Sequence, residues 1–391
     1  MSDRVYFDNA ATTAPDLRVL EAMRPYLDEF WGNPSSLYAE GRQAHEAVDR
    51  ARVQVASLLG AAPGEIVFTG SGTEADNMAL QGVLLAAGLS GAHVVTSAIE
   101  HPAILACCRQ LERLGATVTE LPVSSEGLVD PSDLEAALRP ETRLVSIMAA
   151  NNVTGTIQPI AELAAIAHRR GVLFHTDAVQ AVGKLPFDMR TQPIDLLSLS
   201  GHKLHGPKGI GALYVREGVE LWPILPGGGQ ERGRRSGTEN VAAIVGLGRA
   251  AELAAAERSD EATRLVGIRD HIIESILAKI DNAYLIGHRW RRLPGHICLG
   301  FDGMEGEAIK LLLELDKEGI AVSSGSACSA IHAGQPSHVL AALGFDPLKA
   351  RGSLRISLGR MNTREEADRF LEVLPPAVAA LRPIRRLAKL G

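Results

Sequence analysis

Cysteine is scarce in this sequence, and the spacing of the few cysteines predicts no cross-link. Only four cysteines occur in 391 residues. Cys107 and Cys108 are adjacent, whereas Cys298 and Cys328 stand far from them and from each other. Neither a C-x-x-C pair nor the Cys/His spacing of a zinc site occurs. The pattern therefore predicts neither a disulfide framework nor a metal centre.

Excess positive charge and long apolar runs are also absent. The formal net charge is −6, which argues against a nucleic-acid-binding or membrane-surface role. The apolar stretch VLLAAGL is far shorter than a bilayer span, and the start MSDRVYFDNAATT lacks the basic and apolar regions of a signal peptide. We therefore expect a cytoplasmic protein that binds neither nucleic acid nor membrane.

The sequence does contain a regular alternation of short apolar runs and helical patterns. The runs expected to form strands are 66–70, 93–98, 116–121, 144–150, 172–177, 195–200 and 211–215. Nearly all are apolar on both sides, as strands buried between two layers of helices are. Helical patterns such as TEADNMALQGVLLAAG and IAELAAIAHRRG lie between them. The predicted fold class is α/β, a mainly parallel sheet sandwiched by helices, with a smaller α+β domain.

The pattern changes after Gly229, where a Gly- and Arg-rich stretch precedes an Ala-rich helix expected near 240–257. Further helices are expected at about 261–281, 305–319 and 363–382, together with fewer strands, notably SLRISLG. No internal repeat is present. We therefore assign residues 16–255 to a large domain and residues 1–15 plus 256–391 to a small one.

The stretch TGSGTEADN, from Thr69 to Asn77, places glycines between the end of a strand and the start of a helix. The backbone N–H groups of Gly72 and Thr73, together with the positive end of the helix, suit a phosphate. The Thr73 hydroxyl adds a further donor. A plain strand–helix turn gives the same pattern, so this signal alone does not identify a phosphate site.

The stretch HTDAVQ places Asp177 just after a predicted strand. In open α/β sheets, ligands bind beyond the carboxyl ends of strands. A carboxylate there could keep a pyridinium nitrogen protonated, which makes the ring an electron sink. Gln180 could reach a hydroxyl of the same ring. The competing interpretation of Asp177 is a helix N-cap.

The stretch SLSGHK places Ser200, His202 and Lys203 after another predicted strand. A lysine at such a strand end can form a Schiff base, and the two polar neighbours could donate to a phosphate. A single lysine is usually an exposed surface residue. The combination outweighs that reading, because a phosphate-type helix start, a ring-nitrogen acid and a lysine follow one another at strand ends of one sheet. It predicts a pyridoxal 5'-phosphate site with the Schiff base on Lys203.

Four other residues are candidates for the same site. His101 follows a strand and could stack on a pyridine ring or move protons, and Asn152 could touch the cofactor or substrate. Arg355 lies in an apolar strand, where a substrate carboxylate or a structural salt bridge would be its partner. Cys328 lies among small residues, in SSGSACSA, which suits a loop that carries a thiol into and out of a site. A buried structural cysteine is the alternative.

At these positions the chain resembles the cysteine desulfurases of the class V aminotransferase group, which have fold type I. The nearest likeness is to the branch that serves nitrogenase and iron–sulfur cluster assembly. The resemblance runs nearly end to end, through DNAATT, WGNPSS, SGTEADN, EHPA, NNVTGT, HTDAVQAVGKLP, LSGHKLHGPKGIGALYVR, GGGQERGRRSGTEN, EGEA, SSGSAC and RISLGR.

The resemblance implies a role for each matching residue. Lys203 would hold pyridoxal phosphate, Asp177 would pair with its ring nitrogen, Gln180 with its ring oxygen, and His101 would stack on the ring and transfer protons. The phosphate would be bound by Gly72, Thr73, Ser200 and His202, and by Thr238 from the partner subunit of a homodimer. Asn152 and Arg355 would hold L-cysteine, and Cys328 would accept its sulfur as a persulfide, leaving L-alanine. An iron–sulfur scaffold or another acceptor protein would then take the sulfur.

Two departures from the family pattern and two rival functions accompany this prediction. The family usually has an acid where this chain has Val153, and the segment SAIHAGQPSHVL after Cys328 differs from the usual sequence and is one residue longer. The rival enzymes are a selenocysteine lyase or another transferase of the same fold. The non-enzymatic rival is a degenerate binding scaffold, which the presence of Lys203, Asp177, Cys328 and Arg355 disfavours.

Overall fold

The computed structural model describes residues 4–325 and 337–382. Within them the strands, in chain order, are β1 (Val5–Tyr6), β2 (Ile66–Thr69), β3 (His93–Ser97), β4 (Thr117–Leu121), β5 (Thr142–Ser146), β6 (Leu173–Asp177), β7 (Leu196–Ser200), β8 (Gly211–Val215), β9 (Ala283–Leu285), β10 (His296–Phe301), β11 (Ile320–Ala321), β12 (Ser323–Ser324) and β13 (Leu354–Ser357). Each strand expected from the apolar runs is present, with ends shifted by a few residues.

The helices of the described residues alternate with these strands in the first half of the chain. They are α1 (Leu17–Met23), α2 (Pro25–Asp28), α3 (Ala39–Leu59), α4 (Gly72–Ala86), α5 (Pro102–Arg113), α6 (Pro131–Ala137), α7 (Ile160–Arg169), α8 (Val241–Lys279), α9 (Ala308–Lys317), α10 (His338–Ala342), α11 (Pro347–Ala350) and α12 (Arg364–Leu381). Short 3-10 turns occupy Pro63–Glu65, Gly201–Lys203 and Glu231–Gly233.

The central sheet has seven strands in the order β2-β8-β7-β6-β5-β3-β4. Only β8 is antiparallel to its neighbours, so the carboxyl ends of the other six strands lie along one edge. Strands β2, β3, β6 and β7 are apolar because helices cover both of their faces, and they supply much of two buried hydrophobic clusters. The predicted fold class, a mainly parallel sheet sandwiched by helices, is confirmed.

A second, smaller group of elements follows. Strands β12, β13, β10 and β9 form an antiparallel sheet in that order. This sheet packs with α9, α12 and the second half of α8 around a separate hydrophobic cluster that includes Phe7 and Phe370. Two separate clusters support the division at residues 255 and 256, but the boundary itself stays a prediction.

One expectation about the helices is wrong. The sequence analysis placed separate helices near 240–257 and 261–281, whereas the structure has the single 39-residue helix α8. The stretch AAAERSDEATR between them contains no Pro or Gly, so nothing in the backbone ends the helix. Thr263 also bonds back to the Ser259 carbonyl at 3.0 Å within the helix. Helix α8 therefore crosses the predicted domain boundary without a break.

The N-terminal segment contacts both the small sheet and the turn after β7. Strand β1 pairs with β11, and the Asn9 Nδ2 donates to the Ser357 carbonyl at 2.9 Å. Beyond them, the Thr13 hydroxyl donates to the His202 carbonyl at 2.9 Å. The segment from Val5 to Thr13 thus connects the small sheet to the end of β7.

Candidate active site

A cavity of about 530 Å³ opens at the carboxyl ends of the central strands. Loops that follow β2, β3, β5, β6 and β7 contribute its walls, as expected for a ligand site in a parallel sheet. The structure brings most of the predicted site residues to this cavity: Gly72, Thr73, His101, Asn152, Asp177, Gln180, Ser200, His202, Lys203 and Arg355. Residues far apart in sequence therefore share one site.

One end of the cavity has the chemistry of an anion site. Helix α4 begins at Gly72, and its N-cap Ser71 accepts a hydrogen bond from the Glu74 N–H at 3.1 Å. A Cβ added to Gly72 would come within 2.7 Å of the Val179 Cγ2 and 3.3 Å of the Ser200 Cβ. The helix N-terminus therefore approaches the other loops closely only because residue 72 is glycine, and its free N–H groups face the cavity.

His202 lies beside this end and is held by the N-terminal segment. Its Nδ1 is 3.1 Å from the Thr12 hydroxyl. Burial lowers the pKa of His202 to about 4, and the nearby Lys203 and Lys208 act in the same direction. The ring is therefore neutral at physiological pH and can offer a single N–H to an anion.

Asp177 ends β6 at the cavity floor, and 6% of its surface is exposed. Its Oδ1 accepts the Val179 N–H at 2.9 Å, so the competing N-cap-like interaction is present as well. Burial raises the pKa of Asp177, whereas His101, this N–H group and Lys203 lower it. A cationic ring nitrogen would supply the positive charge that this buried carboxylate needs.

Lys203 is in the 3-10 turn after β7 and is partly buried. Its Nζ donates to the carbonyl of Ala10, and to that of Ala11 at 2.7 Å. Two residues later His205 adopts a left-handed φ of 60°, supported by the Thr13 hydroxyl, which accepts its N–H at 2.8 Å. The turn therefore holds the lysine amine at the cavity wall instead of in solvent.

His101 caps helix α5 through its side chain. The Ala103 N–H donates to the His101 Nδ1 at 3.1 Å. An acceptor nitrogen carries no proton, so the neutral ring carries its proton on Nε2. Burial lowers the pKa of His101, while Asp177 raises it. His101 therefore presents a neutral ring that donates through Nε2 as long as the cap is intact.

Arg355 lies in β13 with 2% of its surface exposed and reaches the cavity from the small sheet. Its Nη2 pairs with the Asp8 Oδ1 at 2.7 Å, and its Nη1 donates to the Asn152 carbonyl at 3.0 Å. The structural salt bridge is therefore present, and the buried Nε lacks a partner among the described residues. Arg355 also lines the cavity, and its role toward a substrate carboxylate stays a prediction.

One described residue of the predicted site is not in this cavity. Thr238 is exposed on the stretch before α8, so its contribution to a partner subunit stays a prediction. Cys328 lies outside the described residues. The His338 Nε2, in α10, is 2.9 Å from the Glu100 carbonyl, next to His101.

Sequence reasoning missed several residues of the site. One group of these residues is Ala10 and Ala11, through their carbonyls, and Thr12, through its hydroxyl. They belong to the DNAATT motif, and the match of this motif to the family pattern was the available sequence signal. Asp8 and Glu100 belong to motifs that were used only for the resemblance. Asp76 lies one helical turn beyond Gly72 and Thr73, and its buried Oδ1 lacks a hydrogen-bond partner in the described part of the chain.

Val153 now has a physical explanation. Its side chain is 6% exposed and packs in an apolar cluster with Ile99, Met148 and Val339. Its N–H donates to the Asn151 Oδ1 at 2.8 Å, so the turn does not depend on the side chain. An acid at this position would require a buried partner, whereas valine only adds to the packing.

Comparison with known proteins decides the family. The model of aminotransferase class-V matches residues 5–370. The chain belongs to the class-V aminotransferase family. It is 51% identical to "Cysteine desulfurase IscS" of Methanosarcina thermophila, over 97% of this chain and 93% of that protein. It is likewise 51% identical to "Cysteine desulfurase" of Nostoc sp., over 97% and 94%.

Solved structures of the family have the same fold. A "NIFS-LIKE PROTEIN" superposes with a TM-score of 0.90 at 40% identity, covering 97% of this chain and all of that one. A structure titled "SspA in complex with cysteine" superposes with a TM-score of 0.79 at 38% identity, covering 90% and 98%. The predicted resemblance and fold type are therefore confirmed.

Family membership makes this protein an enzyme that uses pyridoxal phosphate, and the cavity fits that cofactor. Gly72 approaches Ser200 closely at the N-terminus of α4 and so forms a cradle for a phosphate. A Cβ on residue 72 would fill this cradle. Asp177 is a buried carboxylate that a ring cation would neutralise, and Lys203 has an amine at the cavity wall. Among the described residues, no group of His, Cys, Asp and Glu is arranged to hold a metal, and no helix is long and apolar enough to cross a membrane.

Proposed function

We propose that this enzyme is a cysteine desulfurase, which removes sulfur from L-cysteine and leaves L-alanine. The observation that carries the proposal is the identity of 51% over nearly the whole chain to a protein of that name. The assembled cavity supports it independently, because its lysine, buried acid, anion cradle and buried arginine match the needs of an amino-acid substrate. The cysteine complex of a related protein fits the same substrate.

The residues divide the work between binding and proton transfer. Arg355, which lines the cavity, binds the substrate carboxylate through its guanidinium, and Asn152 orients it. Pyridoxal phosphate supplies, when bound, an electron sink for charge that develops at the substrate α-carbon. Asp177 holds the ring nitrogen protonated, and Lys203 carries the cofactor and moves the α-proton through its Nζ.

The sulfur step uses Cys328. Its thiolate attacks the substrate sulfur, so that an S–S bond forms while the C–S bond breaks, and its thiol proton leaves beforehand. The electron pair of the C–S bond stays with the substrate carbon, which becomes alanine after proton uptake. Cys328 is left as a persulfide. The described cysteines do not suit this task, because burial raises the pKa of Cys107 to about 11 and that of Cys298 to about 12.

The partners follow from the same chemistry. A persulfide needs an acceptor, and we propose an iron–sulfur scaffold or another acceptor protein in the cytoplasm, with nitrogenase maturation as one destination. We further propose a homodimer in which Thr238 contributes to the phosphate site of the other subunit. The exposure of Thr238 in the single chain supports this arrangement.

The test is to incubate the purified protein with L-cysteine and a thiol reductant and to quantify sulfide and alanine together. Equimolar sulfide and alanine are expected, and Cys328→Ala should abolish sulfide release while the cofactor absorbance stays intact. Lys203→Ala should abolish both products. Cys107→Ala is the matched control, because its thiol is buried away from the cavity, and it should retain activity.

The other outcomes are equally informative. Sulfide release at the full rate from Cys328→Ala would contradict the persulfide step. A much higher rate with selenocysteine than with cysteine would favour a selenocysteine lyase. Keto-acid-dependent amino transfer without sulfide would favour an aminotransferase. Failure to bind pyridoxal phosphate would favour the non-enzymatic alternative, in which the protein is a binding scaffold.

A further inference from the structure

Lys184 is a partly buried lysine beside the cavity, and none of the roles above uses it. Its Nζ donates to the Gln180 carbonyl at 3.0 Å and lies 3.5 Å from the Gln180 Oε1. Glu261 of α8 faces it but pairs with Arg360 at 3.2 Å. Lys184 therefore directs its N–H groups at the oxygens of a single residue of the site.

The side chain of Gln180 is held from both ends. Its Nε2 donates to the Ala10 carbonyl at 2.9 Å, on the side opposite to Lys184. An ammonium group can only donate and a carbonyl can only accept, so these two contacts fix which end of the amide is oxygen. The second N–H of Nε2 is then left for the cavity, which Gln180 lines with 6% of its surface exposed.

The contact between Lys184 and Gln180 does not require the Lys184 amine to be charged. Burial and the nearby Lys203 lower the pKa of Lys184 to about 7, while Glu261 acts in the opposite direction. Arg258, His205 and His296 line the small cavities on its other side. Charged or neutral, the amine keeps an N–H to donate to Gln180.

We propose that Lys184 is a positioning residue of the cofactor site. It fixes the Gln180 amide so that an N–H, and not the amide oxygen, faces the ring oxygen of bound pyridoxal phosphate. The inference rests on the proposed role of Gln180 at that oxygen. A donor at this place stabilises the deprotonated ring oxygen, whereas an amide oxygen would disfavour it. Lys184 thus influences the protonation of the bound cofactor indirectly, through the orientation of Gln180.

The test is a pH titration of the absorbance of the loaded protein, compared among variants. In Lys184→Met the amide is free to turn, and we expect the apparent pKa of the bound cofactor to rise by about one unit, the size of one neutral hydrogen bond. Lys184→Arg retains a donor and should restore most of the shift. Lys208→Met removes an exposed charge from the rim of the same cavity. It therefore measures how much of the pKa shift comes from the loss of a positive charge alone.

A double-mutant cycle separates positioning from a structural role. If Lys184 acts through Gln180, then adding Lys184→Met to Gln180→Ala should change the apparent pKa no further. Equal shifts in both backgrounds, or no shift in Lys184→Met, would overturn the inference. Should Lys184→Met fail to fold, the cycle is run with Lys184→Ala, which also lacks a donor. Absence of cofactor absorbance in the unaltered protein would instead count against the proposed function.

Discussion

Replacing Glu100 by Gln perturbs a carboxyl group that the fold encloses completely. Glu100 precedes His101 and has no exposed surface. Its Oε1 accepts from the Ser97 hydroxyl and from the Met148 N–H at 3.0 Å, while its Oε2 lacks a partner among the described residues. Burial raises the pKa of Glu100 to about 8 from an ordinary value of 4.5, and Asp177 contributes in the same direction.

The magnitude follows from proton linkage. Between pH 4.5 and about 8 the folded protein keeps this proton and the unfolded chain releases it. Because the folded state binds more protons, stability falls as the pH rises, by about tenfold in the unfolding constant per pH unit for this one group. The contribution of Glu100 is complete below pH 4.5 and is lost as the pH approaches 8. Gln has nearly the same shape and does not titrate, so Glu100→Gln should remove this dependence.

The assay is urea unfolding of the cofactor-free protein at several pH values between about 5 and 8, at one protein concentration. We expect the midpoint of the unaltered protein to fall with rising pH more steeply than that of Glu100→Gln. Glu112→Gln, in the helix α5 that follows Glu100, replaces an exposed acid and should keep the steep profile. Infrared spectra should contain a protonated carboxyl band that Glu100→Gln lacks. Parallel profiles for the unaltered protein and Glu100→Gln would refute the reasoning.

Two further substitutions test the cradle and the Arg-rich loop. Gly72→Ala places a Cβ 2.7 Å from the Val179 side chain, so the affinity for the cofactor should drop about tenfold or more in an absorbance titration. Gly64→Ala is the control, because a Cβ there meets open space, and it should leave the affinity unchanged. Glu231→Gln breaks a buried two-point pair with Arg52 at 2.7 and 2.8 Å, and calorimetry should detect a loss of about 3–5 kcal/mol. An unchanged cofactor affinity in Gly72→Ala would contradict the first argument, and an unchanged stability in Glu231→Gln would contradict the second.

The sequence predicted the strand-end part of the site because that part is locally encoded. Apolar runs reveal buried strands, and the polar residues that follow them must gather at one edge when the strands are parallel. Gly72, Asp177 and Lys203 were found in this way, and each lines the cavity. The start of helix α6 is encoded equally locally, since Asp130 caps it and Pro131 follows.

The remaining features depend on contacts that no local pattern encodes. The Asp8 carboxylate meets Arg355 across 347 positions of sequence, and the Ala10 carbonyl meets Gln180 across 170. A backbone carbonyl also carries no sequence signature of its own. The continuous helix α8 differs from the two predicted helices for another reason, because the exposed Ser259 and Asp260 between them do not end a helix.

The N-terminal segment also bears on how the protein matures during synthesis. Residues 5–13 leave the ribosome well before their partners, because β1 pairs with Ile320 and Ala321, and Asn9 binds Ser357 and Asn362. At ribosomal speeds of about 5–20 residues per second, these partners emerge roughly 20–70 s later.

Until then the Ala10 carbonyl lacks the neighbours that hold it in place for Lys203 and Gln180. The large sheet can form while the chain is still being made, but the cofactor site closes only after residues 320–362 have been made. Capture of the cofactor is therefore a late step, and a nascent chain stalled before residue 350 should be folded in its first half and unable to retain the cofactor.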